Sequence, residues 1–262
     1  MKVQVLPDTP NYDTLCRGNM RLLGDADGWV YKYGFSAQKK QEPILETDDV
    51  VWIVEPFHHV VNALQRGLKK HMDLAGCDSY ELYLTGPGNF RYAVYPTYKA
   101  NRMEMQKPFY YNEIRSYMVN VLDAEIVEGM EADDKLAIEQ TADPEGTVIC
   151  TEDKDLDQIA GWKYNYVKEL LYYVTPEEAE FNLWSQVLTG DRVDNIPGLS
   201  GIGPVRAEKI LNDREDEESY GERVQRAYME HYMDTSQGLE EFQKNFKLVR
   251  LLIKNPEEDV PW

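Results

Sequence analysis

Four short segments, the apolar Met20 to Gly24, the alternating Tyr80 to Leu84, and Ala124 to Val127 and Thr147 to Cys150, restrict the fold of this chain more than any other feature. Each is too short for a helix and reads as a strand, the first of them buried. Between the first two, Val60, Val61, Leu64, Leu68 and Met72 recur at helical spacing within Val60 to Leu74, and a helix is expected from about Ala132 to Gln140 between the last two. Strands that alternate with helices pair in parallel and are covered on both faces. The expected fold class is therefore α/β, with a mostly parallel central sheet and flanking helices. Two further short strands are expected at Tyr164 to Val167 and Leu170 to Val174. Thr175-Pro176-Glu177-Glu178 then supplies an N-cap, a first-turn proline and first-turn acids for a helix to about Leu188. Beyond Gly190 the composition is helical with glycine punctuation. The chain thus divides into an α/β core over 1–174 and a helical region over 175–262, whose end from Asn255 to Trp262 reads as loosely ordered.

Composition narrows the functional classes. No stretch approaches the ~20 apolar residues that span a bilayer, and Met1 to Tyr12 lacks the basic-then-apolar pattern of a secretion signal. A soluble, cytoplasmic monomer without a membrane partner is expected. Cys16, Cys77 and Cys150 lack metal-type spacing and read as buried thiols of a reducing compartment. The net charge of −19, from 47 acidic against 28 basic residues, argues at first against a nucleic-acid partner. Yet the charges are grouped. Asp213 to Glu218 is a solvated acidic run, whereas Arg66, Lys69, Lys70 and His71, and again Lys99, Arg102 and Lys107, form basic groups able to track a phosphate backbone. Cations held by other acids would reverse the local potential.

Those other acids follow the expected strands. Asp25 and Asp27 come directly after the first, where a turn is expected, and two carboxylates at that range repel unless they share a cation. Glu131, Asp133 and Asp134 open the helix near 132, with Glu131 and Asp134 on one face. Asp153 and Asp155 belong to a group from Glu152 to Asp157 just past the fourth strand, and Asp191 and Asp194 stand three apart after Gly190. Singly, each cluster has a bland account as turn or helix-capping acids. Together, at the carboxyl ends of parallel strands where α/β sheets bind ligands, they point to a shared site. Oxygen donors without His or Cys favour Mg²⁺ or Mn²⁺, and two such ions suit attack of water on a phosphodiester. Leu199-Ser200-Gly201-Ile202-Gly203-Pro204 opens a helix carrying Arg206 and Lys209. A glycine hairpin of this kind can hold a phosphate through backbone N–H groups without reading sequence.

Asp25, Tyr98-Lys99-Ala100-Asn101-Arg102, Glu131-Ala132-Asp133-Asp134, Asp153-Lys154-Asp155 and Gly190 to Gly203 occur in an order that resembles the flap endonuclease and 5′→3′ exonuclease family of bacteriophage and bacterial 5′ nucleases. The resemblance covers roughly residues 20 to 212. It implies a PIN-like core with a helix-hairpin-helix-type DNA-binding region, and a two-metal-ion nuclease acting at duplex ends and 5′ flaps, with RNA/DNA hybrids and RNase H-type action as open alternatives. The implied metal ligands are drawn from Asp25, Asp27, Glu131, Asp133, Asp134, Asp153, Asp155, Asp191 and Asp194. Lys99 and Arg102 are implied at the reacting phosphate. Gly201, Ile202, Gly203, Arg206 and Lys209 are implied at duplex DNA, with K⁺ at the hairpin.

Two departures stand out. Gly86 occupies the place where the family usually has a metal-binding Asp, and the segment from Arg102 to Glu131 is short for a threading arch, which tilts the expectation towards exonuclease action. Phe109, Tyr110 and Tyr111 are candidates for base stacking, though core packing is the plainer account. Two rivals remain open. A haloacid-dehalogenase-type phosphatase would use Asp25-Ala26-Asp27-Gly28 but leaves Lys99, Arg102 and the glycine hairpin unexplained. A catalytically inactive DNA-end binder would follow from the loss of the acid at Gly86.

Overall fold

A computed structural model of the chain describes residues 19–41, 51–102, 105–213 and 218–256. Met1 to Tyr12, Cys16, most of the acidic run after Asp213 and the residues after Pro256 lie outside the described residues. The central sheet is built from β1 (Arg21–Asp25), β4 (Ser79–Thr85), β5 (Glu125–Val127), β6 (Thr147–Thr151), β7 (Gly161–Asn165) and β8 (Leu170–Val174), in the spatial order β5-β4-β1-β6-β7-β8. All neighbours are parallel except β7 and β8. Between β1 and β4 come α1 (Ala26–Ser36), an antiparallel pair made of β2 (Gln38–Gln41) and β3 (Val51–Val54), and α2 (Phe57–Ala75). Next are α3 (Arg91–Val94), a 3₁₀ turn at Ala100–Arg102 and α4 (Tyr111–Val121) before β5, then α5 (Ala132–Ala142) before β6. A second 3₁₀ turn, Lys154–Gln158, precedes β7. The chain continues through α6 (Pro176–Thr189), α7 (Pro204–Leu211), α8 (Tyr220–His231) and α9 (Thr235–Val249).

Alternation along the strands sends side chains to two cores. Leu22, Leu82, Leu84, Val148 and Cys150 pack against Trp29, Val30, Leu64, Leu68, Ile114 and Met118 of α1, α2 and α4. Leu23, Tyr83 and Ile149 face Leu136 and Ala137 of α5, together with Leu251 and Leu252. A third cluster, with Trp184, Val187, Ala207, Leu211, Val224, Tyr228 and Phe242, unites α6 to α9. The α/β expectation holds, and α6 starts on its expected cap, with Thr175 Oγ1 accepting from Glu178 N at 3.2 Å.

Three local expectations are corrected. The residues after Asp25 are helix rather than turn, because Asp25 caps α1 by accepting from Gly28 N. The strand expected at Tyr164 to Val167 begins earlier, at Gly161. His71 leaves the basic group, since it is buried on α2 with Tyr33 Oη 3.2 Å from Nε2, and burial lowers its pKa to about 4. Its neighbours Lys69 and Lys70 pair with Asp73 and Glu169.

From β1 the chain moves outward to β4 and β5, and α5 then returns it to the other side of β1. The carboxyl ends of β1 and β6 therefore flank the point where the winding reverses, which opens a crevice there. Among the described residues, no helix is long and apolar enough to cross a membrane.

Candidate active site

Asp25 ends β1 beside that crevice. Its Oδ2 accepts from Thr151 Oγ1 of β6 at 3.0 Å, so the two central strands jointly orient the carboxylate. Burial raises its pKa to about 7, and the charge of Asp27 adds to the rise despite the hydrogen bonds from Gly28 and Thr151. Asp133, at the start of α5, is pushed well above the usual range by burial and then by Asp25, Asp153 and Glu131, with Lys99 opposing. Asp153 leads the 3₁₀ turn after β6 and accepts from Asp155 N at 2.9 Å. Burial and Asp153 raise Asp155 to about 7, while a hydrogen bond from Gln186 opposes. Asp25, Asp27, Glu131, Asp133, Glu152 and Asp153 line one cleft of about 580 Å³, with Lys99 and Arg102 at its side and Tyr31, Phe35 and Met105 at its rim. A small recess of about 50 Å³ also lined by Lys99, Arg102, Glu131, Asp133 and Asp153 carries Asp155 and Asp194.

The basic pair is held by acids. Lys99 Nζ lies 2.5 Å from Glu131 Oε1 and 3.5 Å from Asp194 Oδ2, and Arg102 pairs with Asp194 Oδ1. Burial works against the charge of Lys99, but Glu131 and Asp194 outweigh it and raise the pKa. Burial also raises Asp194, against the pull of Lys99 and Arg102. Tyr98 Oη donates to Glu131 Oε2 at 3.0 Å, and Asn89 Nδ2 donates to Oε1 at 3.0 Å. The segment carrying Lys99 is stitched to the loop after α6 by Lys99 N to Asp194 O at 2.9 Å, Asn101 Nδ2 to Arg192 O at 2.9 Å and Asn195 Nδ2 to Thr97 O at 2.7 Å. That loop closes through glycines. Gly190 and Gly198 both have positive φ, and a Cβ on Gly190 would come 2.3 Å from Ile196 O.

Several candidates stand elsewhere than expected. Asp134 is fully buried, and its two oxygens accept from Arg91 Nη1 at 2.6 Å and Nη2 at 2.8 Å, from Glu131 N at 3.0 Å and from Leu252 N at 3.0 Å. With its acceptor positions used and no opening to the cleft, Asp134 is a structural ion-pair partner, not a ligand. Asp27 faces the cleft, but Oδ1 accepts from Arg115 Nη1 and Oδ2 from Thr85 N, each at 2.8 Å. Asp191 accepts from Val193 N at 2.7 Å and lines neither cavity. Sequence reasoning missed Arg115, Thr151 and Arg91, which reach their partners across long sequence separations and carry no local signature.

Oxygen donors alone, mutually repelling and partly buried, suit a hard divalent cation at Asp25, Asp133 and Asp153. Among the described residues, no three of His, Cys, Asp and Glu already close around one point.

The glycine hairpin lies apart from the acids, on a cavity of about 690 Å³ lined by Ile196 to Gly203 with Tyr95, Arg192 and Tyr232. Gly203 caps α7, and a Cβ there would meet nothing within 4 Å, so the glycine leaves room rather than relieving a clash inside the protein. Arg206 Nη1 donates to Gly201 O at 2.9 Å, Lys209 is exposed on the same helix, and Ile202 packs against the helical core. Of the stacking candidates, Phe109 is exposed, whereas Tyr110 packs against Phe57 and Tyr111 against Tyr31.

A family of proteins described as 5′-3′ exonuclease, N-terminal resolvase-like domain, matches residues 22–183. The thermostable DNA polymerase I of Thermus aquaticus is 34% identical over 139 residues, which is 48% of this chain and 17% of that protein. DNA polymerase I of Rhizobium leguminosarum is 32% identical over 155 residues, 52% of this chain and 15% of that protein. The chain spans about a sixth of the length of these curated relatives. Among solved structures, the bacteriophage T5 D15 flap endonuclease in a pseudo-enzyme-product complex with DNA and metal ions superposes with a TM-score of 0.60 at 16% identity, covering 88% of this chain and 89% of the other. The catalytic core of Rad2 in complex with a DNA substrate gives 0.51 at 14% identity, covering 96% and 78%. At such identities the likeness is one of fold.

Proposed function

Because the chain belongs to the 5′-3′ exonuclease family through its N-terminal resolvase-like domain, we propose that it is a divalent-metal-dependent nuclease that hydrolyses phosphodiester bonds at or near the 5′ ends of DNA. The observation that carries this reading is the convergence of Asp25, Asp133 and Asp153 with Lys99 and Arg102 on one cleft at the carboxyl ends of β1 and β6. Mg²⁺ or Mn²⁺ held by these acids would polarise the phosphodiester and acidify water. Lys99 and Arg102 supply what a scissile phosphate needs beside it, a point charge and a planar fork able to bind two oxygens. Their partners are Glu131 and Asp194, which keep both cations at the cleft wall. No side-chain nucleophile is required, and Asp25, already engaged by Gly28 and Thr151, serves to hold and orient.

The helical region over 175–262 is the DNA-holding part in this reading. Gly201, Ile202 and Gly203 present an open backbone at the start of α7, and Arg206 and Lys209 extend the contact along the duplex, with K⁺ as a candidate ion at the hairpin. The family assignment removes the support for the phosphatase rival. The test is hydrolysis of a 5′-labelled duplex and a 5′-flap substrate with Mg²⁺, Mn²⁺ or EDTA, comparing the wild type with Lys99→Ala. Metal-dependent release of 5′ products, weakened in the variant, supports the proposal, and product lengths separate stepwise trimming from flap excision. End binding without cleavage in any metal would return the inactive binder.

A further inference from the structure

A groove of about 260 Å³ opens where α9 meets the segment after β4. Its floor is apolar, made of Phe246 on α9, Leu252 just beyond it and Phe90 before α3, and its rim carries two cations, Lys247 and Arg250. The segments that frame it are joined through the Arg91 and Asp134 fork, since Arg91 Nη2 donates to Arg250 O at 2.9 Å and Leu252 N to Asp134 Oδ1 at 3.0 Å. The groove is thus held in shape from within the protein. A cationic rim beside an apolar floor is unusual on a chain of net charge −19, and such a combination marks a site for a partner with the opposite sign and an apolar anchor. Pro256 also lines the groove, so the described residues run up to its edge. The residues that follow are Glu257, Glu258, Asp259, Val260, Pro261 and Trp262, three acids and then three apolar groups.

We infer that Glu257 to Trp262 docks into this groove, with its acids against Lys247 and Arg250 and the Trp262 ring on the floor of Phe90, Phe246 and Leu252. The two surfaces match in sign and in kind. Opposite charges at the rim fix the register of the docked stretch, while the indole supplies apolar contact area on a stiff side chain that loses little freedom. Reach is sufficient and bounded, because six residues extend at most about 20 Å from Pro256. Tethering at the edge of the groove makes docking intramolecular, at an effective concentration on the order of mM. Contacts that would hold a free peptide with a dissociation constant of only about 0.1 mM therefore keep the groove about nine-tenths filled. Pro256 and Pro261 lower the ordering cost by restricting the undocked stretch. A docked stretch covers Leu252 and Arg250, which the Arg91 and Asp134 fork ties to the start of α5, and so braces the helix end that carries Glu131 and Asp133.

The test is ¹⁹F nuclear magnetic resonance of the full chain labelled with 5-fluorotryptophan, with the Trp262 signal assigned by Trp262→Phe. In the wild type that signal should stand apart from the signal of a free peptide of residues 255–262, at every protein concentration. Lys247→Glu with Arg250→Glu should move it to the free-peptide position, and adding Glu257→Lys, Glu258→Lys and Asp259→Lys should move it back. A fluorescein-labelled peptide of the same residues should bind full-chain Trp262→Ala at least about tenfold more tightly than the wild type, whose own stretch competes. A wild-type signal at the free-peptide position, a displaced signal that the rim reversals leave in place, or equal peptide binding by the two chains would overturn the inference. A displacement that disappears on dilution would overturn it in favour of a second copy of the chain. Loss of duplex binding on rim reversal, with the Trp262 signal unmoved, would overturn it and give the rim to DNA. If the double reversal does not fold, Lys247→Glu alone, at an exposed position of α9, and the peptide competition decide it.

Discussion

Replacing Asp134 by Ala should cost stability rather than metal affinity, and the structure sets the size of the loss. Arg91 and Asp134 are 1% and 0% exposed, and two short contacts join them in a fork. The guanidinium also donates to Leu248 O and Arg250 O at 2.9 Å each, so the pair ties the end of α9 to α5 and to the segment after β4. Taking away the carboxylate leaves a buried charge without its counter-ion and strips the acceptor from Glu131 N and Leu252 N. Breaking a buried pair in this way costs about 3–5 kcal/mol, a large part of the ~5–15 kcal/mol that holds a typical protein folded. At about 2–4 °C per kcal/mol for a chain near this size, the melting temperature should fall by roughly 10 °C. Removing both charges, as Arg91→Met with Asp134→Leu, should recover most of the loss, because well-packed apolar replacements of a buried pair are often neutral. Urea unfolding of the single and double variants measures these differences, and Mn²⁺ binding by the folded fraction should remain as in the wild type. A single variant that loses less than about 1 kcal/mol, in the range of an exposed pair, or one that stays fully stable but no longer binds Mn²⁺, would refute the reasoning and return Asp134 to the ligands.

Three more outcomes are expected. Lys163 is buried in β7 beside Gln140, and burial lowers its pKa to about 7. The unfolded chain therefore binds the extra proton between pH 7 and about 10.4, so the penalty is full below pH 7 and is relieved as pH rises. From pH 7 to 9 this group should add on the order of 1–2 kcal/mol to stability, and Lys163→Met should flatten that part of a pH series of urea melts. Gly86→Asp should destabilise by about 1–3 kcal/mol in the same melts through its collision with Val127 O, without restoring an ion site. Gly203→Ala should fold normally, since its Cβ meets nothing, yet weaken duplex binding in a fluorescence-anisotropy titration by crowding the backbone approach.

Much of the sheet was legible because β6 is buried along its whole length, β1 has a short apolar centre and β4 alternates polar and apolar residues up to its buried end, and α2 carries its core residues at helical spacing. Helix α1 was not. Ala26, Trp29, Val30, Tyr33 and Gly34 do form its buried stripe, but Tyr31 and Phe35 on the outer face blur the pattern, and Gly28 mimics a turn. Strand β7 was displaced because all five residues are buried, Lys163 among them, so neither alternation nor polarity marks its start. The acids were legible as a group, since they follow strand ends. Their individual duties were not, because these depend on cations that arrive from far along the chain. Arg91 reaches Asp134 across 43 residues and Arg115 reaches Asp27 across 88. Spacing places Glu131 and Asp134 on one helical face, but only the position of Arg91 decides that Asp134 turns inward while Asp133 meets the cleft.

The most direct test of the central claim is the rate of Mn²⁺-dependent 5′-product release from a labelled duplex by Asp133→Asn. The substitution keeps size and fold while removing one charge from the cleft. The account predicts loss of about 10²–10³-fold or more, on the scale of removing one electrostatic stabiliser from an active site, with native circular dichroism retained. Cleavage at the wild-type rate by the folded variant would contradict it and place the chemistry elsewhere on the molecule.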